Sequence, residues 1–156
     1  MKRYFFILFL LLSFAFSISA QEKEARKVDE FESVNCDDYL ARMDNFQIEL
    51  SNDPTAKGYI LIYEGKIPKN SKGKFIFVFP HSGEAKSYKK TMIRRMAFRK
   101  YDRQRIVFIE AGFREKLTVE FWLVPAGAEP PKPTPTLKKI KYRKGEPIDF
   151  CGDDSV

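Results

Sequence analysis

The stretch 36–65, CDDYLARMDNFQIELSNDPTAKGYILIYEG, holds both kinds of periodicity a small mixed fold needs. Tyr39, Met43, Phe46 and Leu50 recur at spacings of 4, 3 and 4, which puts them on one face of a helix running from about Asp37 to Leu50. Asn35 or Asp37 can cap its start, and Asp37 and Asp38 suit the positive end of the helix dipole. Pro54 ends the run, because proline pushes the preceding residue out of helical geometry. Gly58 then opens YILIYEG, whose branched and aromatic residues read as a strand.

Upstream, 21–30 is a polar lead-in, and Val28 to Val34 reads as a short edge strand. Downstream, Gly65 to Gly73 reads as a basic loop. KFIFVF follows, with Phe75, Phe77 and Phe79 on one face and Ile76 and Val78 on the other. Apolar residues on both faces predict a strand covered on both sides, or an edge that adds a partner strand. A second helix is expected from about Gly83 to Tyr101, capped by Ser82, with Ala85, Tyr88, Met92 and Met96 inward. RIVFIEA and LTVEFWLV predict two strands with GFREK between them, a spacing that suits an antiparallel hairpin. In the second of these, Leu117, Val119, Phe121 and Leu123 share one face, and Thr118, Glu120 and Trp122 the other. Trp122 reads either as partly buried packing or as a half-exposed contact.

Residues 125–136 hold five of the nine prolines, an extended spacer or strap spanning up to about 37 Å. The tail 137–156 offers LKKIKY as one short strand. The expected fold is therefore α+β: a small mixed sheet of four to five strands with two helices on one face, in βαβαββ-like order. The expected single domain covers 21–124.

Residues 1–20, MKRYFFILFLLLSFAFSISA, carry two cations, an apolar run and small residues before Gln21. That is the pattern of a secretory signal peptide cleaved near Ala20, and the apolar run is shorter than the roughly 20 residues of a spanning helix. The mature chain is expected to be periplasmic or secreted, with no transmembrane span. The 156-residue chain has a net charge of +7; removing Lys2 and Arg3 leaves +5. In an exported chain the cysteine pair Cys36 and Cys151 predicts a disulfide joining the domain's start to its end, with a reactive thiol as the alternative.

The sequence holds no G-x-S-x-G, P-loop or H-E-x-x-H motif and one histidine, His81. PHSG around it reads as a strand stop and helix start, against a catalytic reading that needs a positioned acid. Asp37–Asp38 and Asp153–Asp154 read as a cap and a solvated tail before a weak Ca²⁺ site. No enzyme, metal or cofactor is expected. Lys86, Lys89, Lys90, Arg94, Arg95, Arg99 and Lys100 make the second helix basic. This is either a solvated face or a contact with an anionic polymer, and export turns that contact from nucleic acid toward the cell envelope. Lys90, Arg94, Arg95 and Arg99 are the candidate ligand-binding residues, the arginines because their forks match carboxylates and phosphates. The alternative is a protein–protein interaction module using the apolar strand edge or the Pro-rich segment, without glycan binding.

LARMDNFQIELSNDPTAKGYILIY and RRMAFRKYDRQRIVFIEAGF together resemble the OmpA C-terminal-like domain, a periplasmic βαβαββ fold that binds peptidoglycan in many members. The resemblance spans about residues 28–124 and implies peptidoglycan as partner, with Arg94 in the place of the helix arginine that contacts the diaminopimelate carboxylate. The family's G-H-T-D-x-x-G loop is replaced here by EGKIPKNSKG, so its binding Asp has no counterpart. The chain is also similar to exported bacterial proteins with no assigned activity.

Overall fold

A computed structural model describes residues 23–152, so the leader and Asp153–Asp154 fall outside the described residues. Strand β1 spans Arg26–Glu32 and helix α1 spans Cys36–Asn52. Asn35 caps α1, its side chain accepting from Asp38 N at 2.9 Å. Tyr39, Met43, Phe46 and Leu50 are all completely buried, as their spacing requires. Arg105 closes the other end, donating through Nη1 to Leu50 O at 2.9 Å and Asp53 O at 3.2 Å.

Strand β2 runs unbroken through Lys57–Ser71, so the expected basic loop over 65–73 is instead strand. Its far half pairs antiparallel with β3, Lys74–Val78, in register from Ile67↔Val78 to Ser71↔Lys74. Backbone pairing overrides the loop-like composition. Lys72 and Gly73, at φ 52° and 79°, make the tight turn between them, a type I′ shape that glycine adopts without strain.

Strands β4 (Ile106–Lys116) and β5 (Thr118–Val124) do not pair with each other, which corrects the expected hairpin. β4 lies parallel to β2 from Gly58↔Ile106, and β5 lies antiparallel along the other edge of β2 from Lys57↔Val124 to Tyr63↔Thr118. GFREK belongs to β4, whose register shifts twice against β2, bulges that bend a strand. Leu117 alone joins the two strands, so the chain steps across β2 there, and its N–H donates to Lys66 O at 3.0 Å. Gly65 permits the step: a Cβ at this position would stand 2.0 Å from the Lys116 carbonyl carbon. The resulting order is β1–β5–β2–β4, with β3 continuing the sheet past the crossing.

Helix α2, Glu84–Phe98, supplies the crossover that parallel β2 and β4 need. Gly83, not Ser82, stands at its N-cap, and the Glu64 carboxylate of β2 accepts from Ala85 N at 3.0 Å in place of a side-chain cap. Both helices pack on one face of the sheet, burying Met43, Phe46, Tyr88, Met92 and Met96 against Ile60, Ile62, Val119 and Phe121. Phe46 stacks on Phe121 with ring centroids 4.8 Å apart. The protein is a small α+β fold, and among the described residues no helix is long and apolar enough to cross a membrane.

The opposite face buries Leu61, Tyr63 and Ala111. The Pro-rich segment crosses it: Thr134 N donates to Tyr63 Oη at 3.1 Å, and Thr136 N and Leu137 N both donate to Phe113 O. LKKIKY makes a single isolated bridge, Leu137 to Phe113, rather than the expected strand. Beneath the segment, Glu120 accepts from Arg114 Nη2 at 2.8 Å, Trp122 Nε1 at 2.9 Å and Lys27 Nζ at 3.1 Å. Arg114 also lies 3.6 Å over the Tyr63 ring. The tail then returns to the helices. Phe150 sits edge-on to Tyr39 of α1 and stacked on Tyr88 of α2, and Cys151 closes a disulfide with Cys36.

Strand β3 departs from expectation. Phe75, Ile76 and Phe77 are exposed rather than covered, because the hairpin projects beyond the point where β4 and β5 end.

Candidate functional site

Helix α2 shows Arg94 and Arg95 to the returning tail. Arg94 Nη2 donates to Asp149 Oδ2 at 2.5 Å, and Arg95 Nη2 donates to the Cys151 carbonyl. Asp149 also accepts from Thr91 Oγ1 at 2.8 Å and from Cys151 N at 3.1 Å. Burial pushes the Asp149 carboxyl up, but these donors outweigh it and hold the group below the usual carboxylate range. Arg94, Arg95, Phe98, Asp149, Cys151 and Gly152 line a cavity of about 450 Å³. Phe98 stands 78% exposed at its rim, and Arg95 Nε is buried with no hydrogen-bond partner among the described residues.

This arrangement is suited to a small zwitterion or a peptide carboxylate. Two guanidinium groups present planar donors, Asp149 orients one of them and can accept from an ammonium, and Phe98 offers an apolar face. The other two candidates lie apart from the cavity. Arg99 faces Asp44 of α1 at 3.7 Å. Lys90 is exposed on α2 and makes no ion pair among the described residues.

Asp149 and the Cys151 carbonyl escape sequence reasoning about this site, whereas Phe98 is legible as an aromatic among the cations of the helix at a spacing equally suited to packing. The available signal was Asp149 itself, two residues before a cysteine whose bond returns the tail to the helices.

His81 is buried at the start of α2, and its Nδ1 has no hydrogen-bond partner among the described residues. The nearby Glu84 carboxylate accepts from the backbone N–H groups of His81 at 3.2 Å and Ile148 at 3.0 Å. Burial raises the Glu84 carboxyl above its ordinary value despite these donors. Glu64 accepts from Tyr142 Oη at 2.6 Å. Burial and then the adjacent carboxylate push the Tyr142 hydroxyl up to about 12. These contacts tie the tail to the first turn of α2, with the acids serving backbone N–H groups rather than the imidazole. Among the described residues no group of three or more His, Cys, Asp and Glu side chains could hold a metal ion.

No family model, curated protein or solved structure matches the chain.

Proposed function

We propose that this chain is a non-enzymatic, exported domain of the bacterial cell envelope that binds peptidoglycan, or another anionic envelope component, through α2. The observation that carries the proposal is the cavity in which Arg94 and Arg95 meet Phe98 and Asp149. A stem-peptide carboxylate fits the paired guanidinium donors, and an amino group on the same ligand fits Asp149. Two further features support the reading. With the β3 excursion set aside, the element order is βαβαββ, that of the OmpA C-terminal-like domains the sequence resembles. The Cys36–Cys151 bond suits the oxidising compartment to which the leader would deliver the chain.

Co-sedimentation of the oxidised chain with purified sacculi tests this. The parent is expected to pellet at low salt and to be released as salt rises. Arg94→Glu combined with Arg95→Glu is expected to weaken capture by about tenfold or more, because reversal replaces attraction to an anionic ligand with like-charge repulsion. Equal capture of parent and variant, or no capture of the parent at low salt, overturns the proposal.

A further inference from the structure

The β2–β3 hairpin is the most apolar exposed part of the described chain. Phe75 is 78% exposed at its tip, and Ile76, Phe77 and Phe79 are each 40% exposed or more. Because side chains alternate along a strand, Phe75 and Phe77 lie on one face and Ile76 on the other, so both faces of the projection are apolar. The segment 65–79 carries Lys66, Lys69, Lys72 and Lys74 and no acid. The lysines interleave with the rings: Lys66 Nζ lies 5.5 Å over Phe79, and Lys116 Nζ lies 4.6 Å over Phe77. At the hairpin's base a groove of about 240 Å³ continues the pattern, lined by Leu137, Ile140, Lys139 and Lys141 with one acid, Glu115.

We propose that this hairpin docks the domain on an anionic phospholipid bilayer, the phenylalanines entering the interface and the lysines meeting lipid phosphates. Two observations favour a bilayer over a protein strand. A strand added to the β3 edge would occupy its backbone groups and leave both apolar faces in water, whereas an interface surrounds the tip on both faces at once. Lysines along an edge strand also oppose strand addition, while each lysine near an anionic leaflet adds attraction. The hairpin is separate from the arginine cavity. α2 begins beside Glu64, at the hairpin's base, and advances about 1.5 Å per residue away from it, so Arg94 and Phe98 lie toward the other end of the sheet.

The test uses the leader-free chain from Gln21 and adds a tryptophan at each end of the domain, each variant read against the parent, whose single natural tryptophan is Trp122. Phe75→Trp and Phe98→Trp chains are mixed with vesicles of phosphatidylcholine, with and without phosphatidylglycerol, and no polysaccharide is present. The Phe75→Trp emission is expected to shift blue and to be quenched by brominated acyl chains only when phosphatidylglycerol is included. The Phe98→Trp emission is expected to stay unchanged. Lys69→Gln, Lys72→Gln and Lys74→Gln together are expected to weaken binding by on the order of a hundredfold, since each lysine contributes about fivefold. Equal quenching at both reporters overturns the proposal, because it places the attraction outside the hairpin. A Phe75→Trp emission that ignores vesicles also overturns it, as does one that shifts with protein concentration alone, the mark of strand pairing between chains.

Discussion

Glu120 is 2% exposed and accepts from Arg114, Trp122 and Lys27, with the Tyr63 hydroxyl at a longer 3.4 Å, so its charge is tolerable only while these donors stay in place. Burial alone would raise its carboxyl, but the donations from Trp122, Arg114 and Lys27 hold it below the ordinary value. A carboxyl depressed in the folded state contributes stability above its unfolded value, and that stability fades as pH falls through the folded one. Glu120→Ala is therefore expected to lose about 1–3 kcal/mol at pH 7, since Arg114 keeps Glu30 and Thr134 while it, Trp122 and Lys27 lose a buried acceptor. Denaturant melts of parent and variant should converge as the pH drops below about 4. Strand alternation in the sequence correctly separates Glu120 and Trp122 from the core-facing set, but it cannot say what covers them. Arg94 presents the same difficulty. Its charge is legible, whereas its partner Asp149 lies 55 residues away.

Local patterns decided which elements were legible. α1 follows from four apolar residues at helical spacing, a capping Asn35 and a stopping Pro54, and its observed limits differ by only one or two residues from expectation. The inward face of α2 is equally plain. Strand pairing is not local, and there the reading broke down: β4 and β5 look like a hairpin in sequence yet flank opposite edges of β2. What signals the difference is one residue, Gly65, whose missing side chain lets Lys116 and Leu117 pass over the strand. Gly65→Ala is expected to destabilise the fold by more than about 3 kcal/mol, because the added carbon would meet backbone rather than a side chain that could turn away. Urea unfolding would measure this, and a loss below about 1 kcal/mol would mean the crossing has slack. The extra length of β2 was hidden by GKIPKNS, a loop-like composition held extended mainly by β3, with β4 pairing only at Lys66.

At the scale of the whole molecule, residues 134–152 return across one face of the sheet and then the other, and the cysteine pair is what made that return foreseeable. The bond spans 115 residues of sequence, and in the chain-entropy model a loop of that size contributes about 4–5 kcal/mol. Cys36→Ser with Cys151→Ser should lower the thermal midpoint accordingly and raise amide exchange along 147–152, while the Glu120 network, which the bond does not touch, keeps its protection. The candidate site itself was half legible, its arginines on one helix and its carboxylate and carbonyl on the tail. That division has a thermodynamic consequence. Asp149 and the Cys151 carbonyl reach the arginines on a segment anchored by Cys151, so the ligand capture proposed for α2 and the two-electron couple of the cysteines would be linked equilibria. Linkage is reciprocal: reductant would loosen the grip on ligand, and bound ligand would make the cysteine pair harder to reduce by the same free energy.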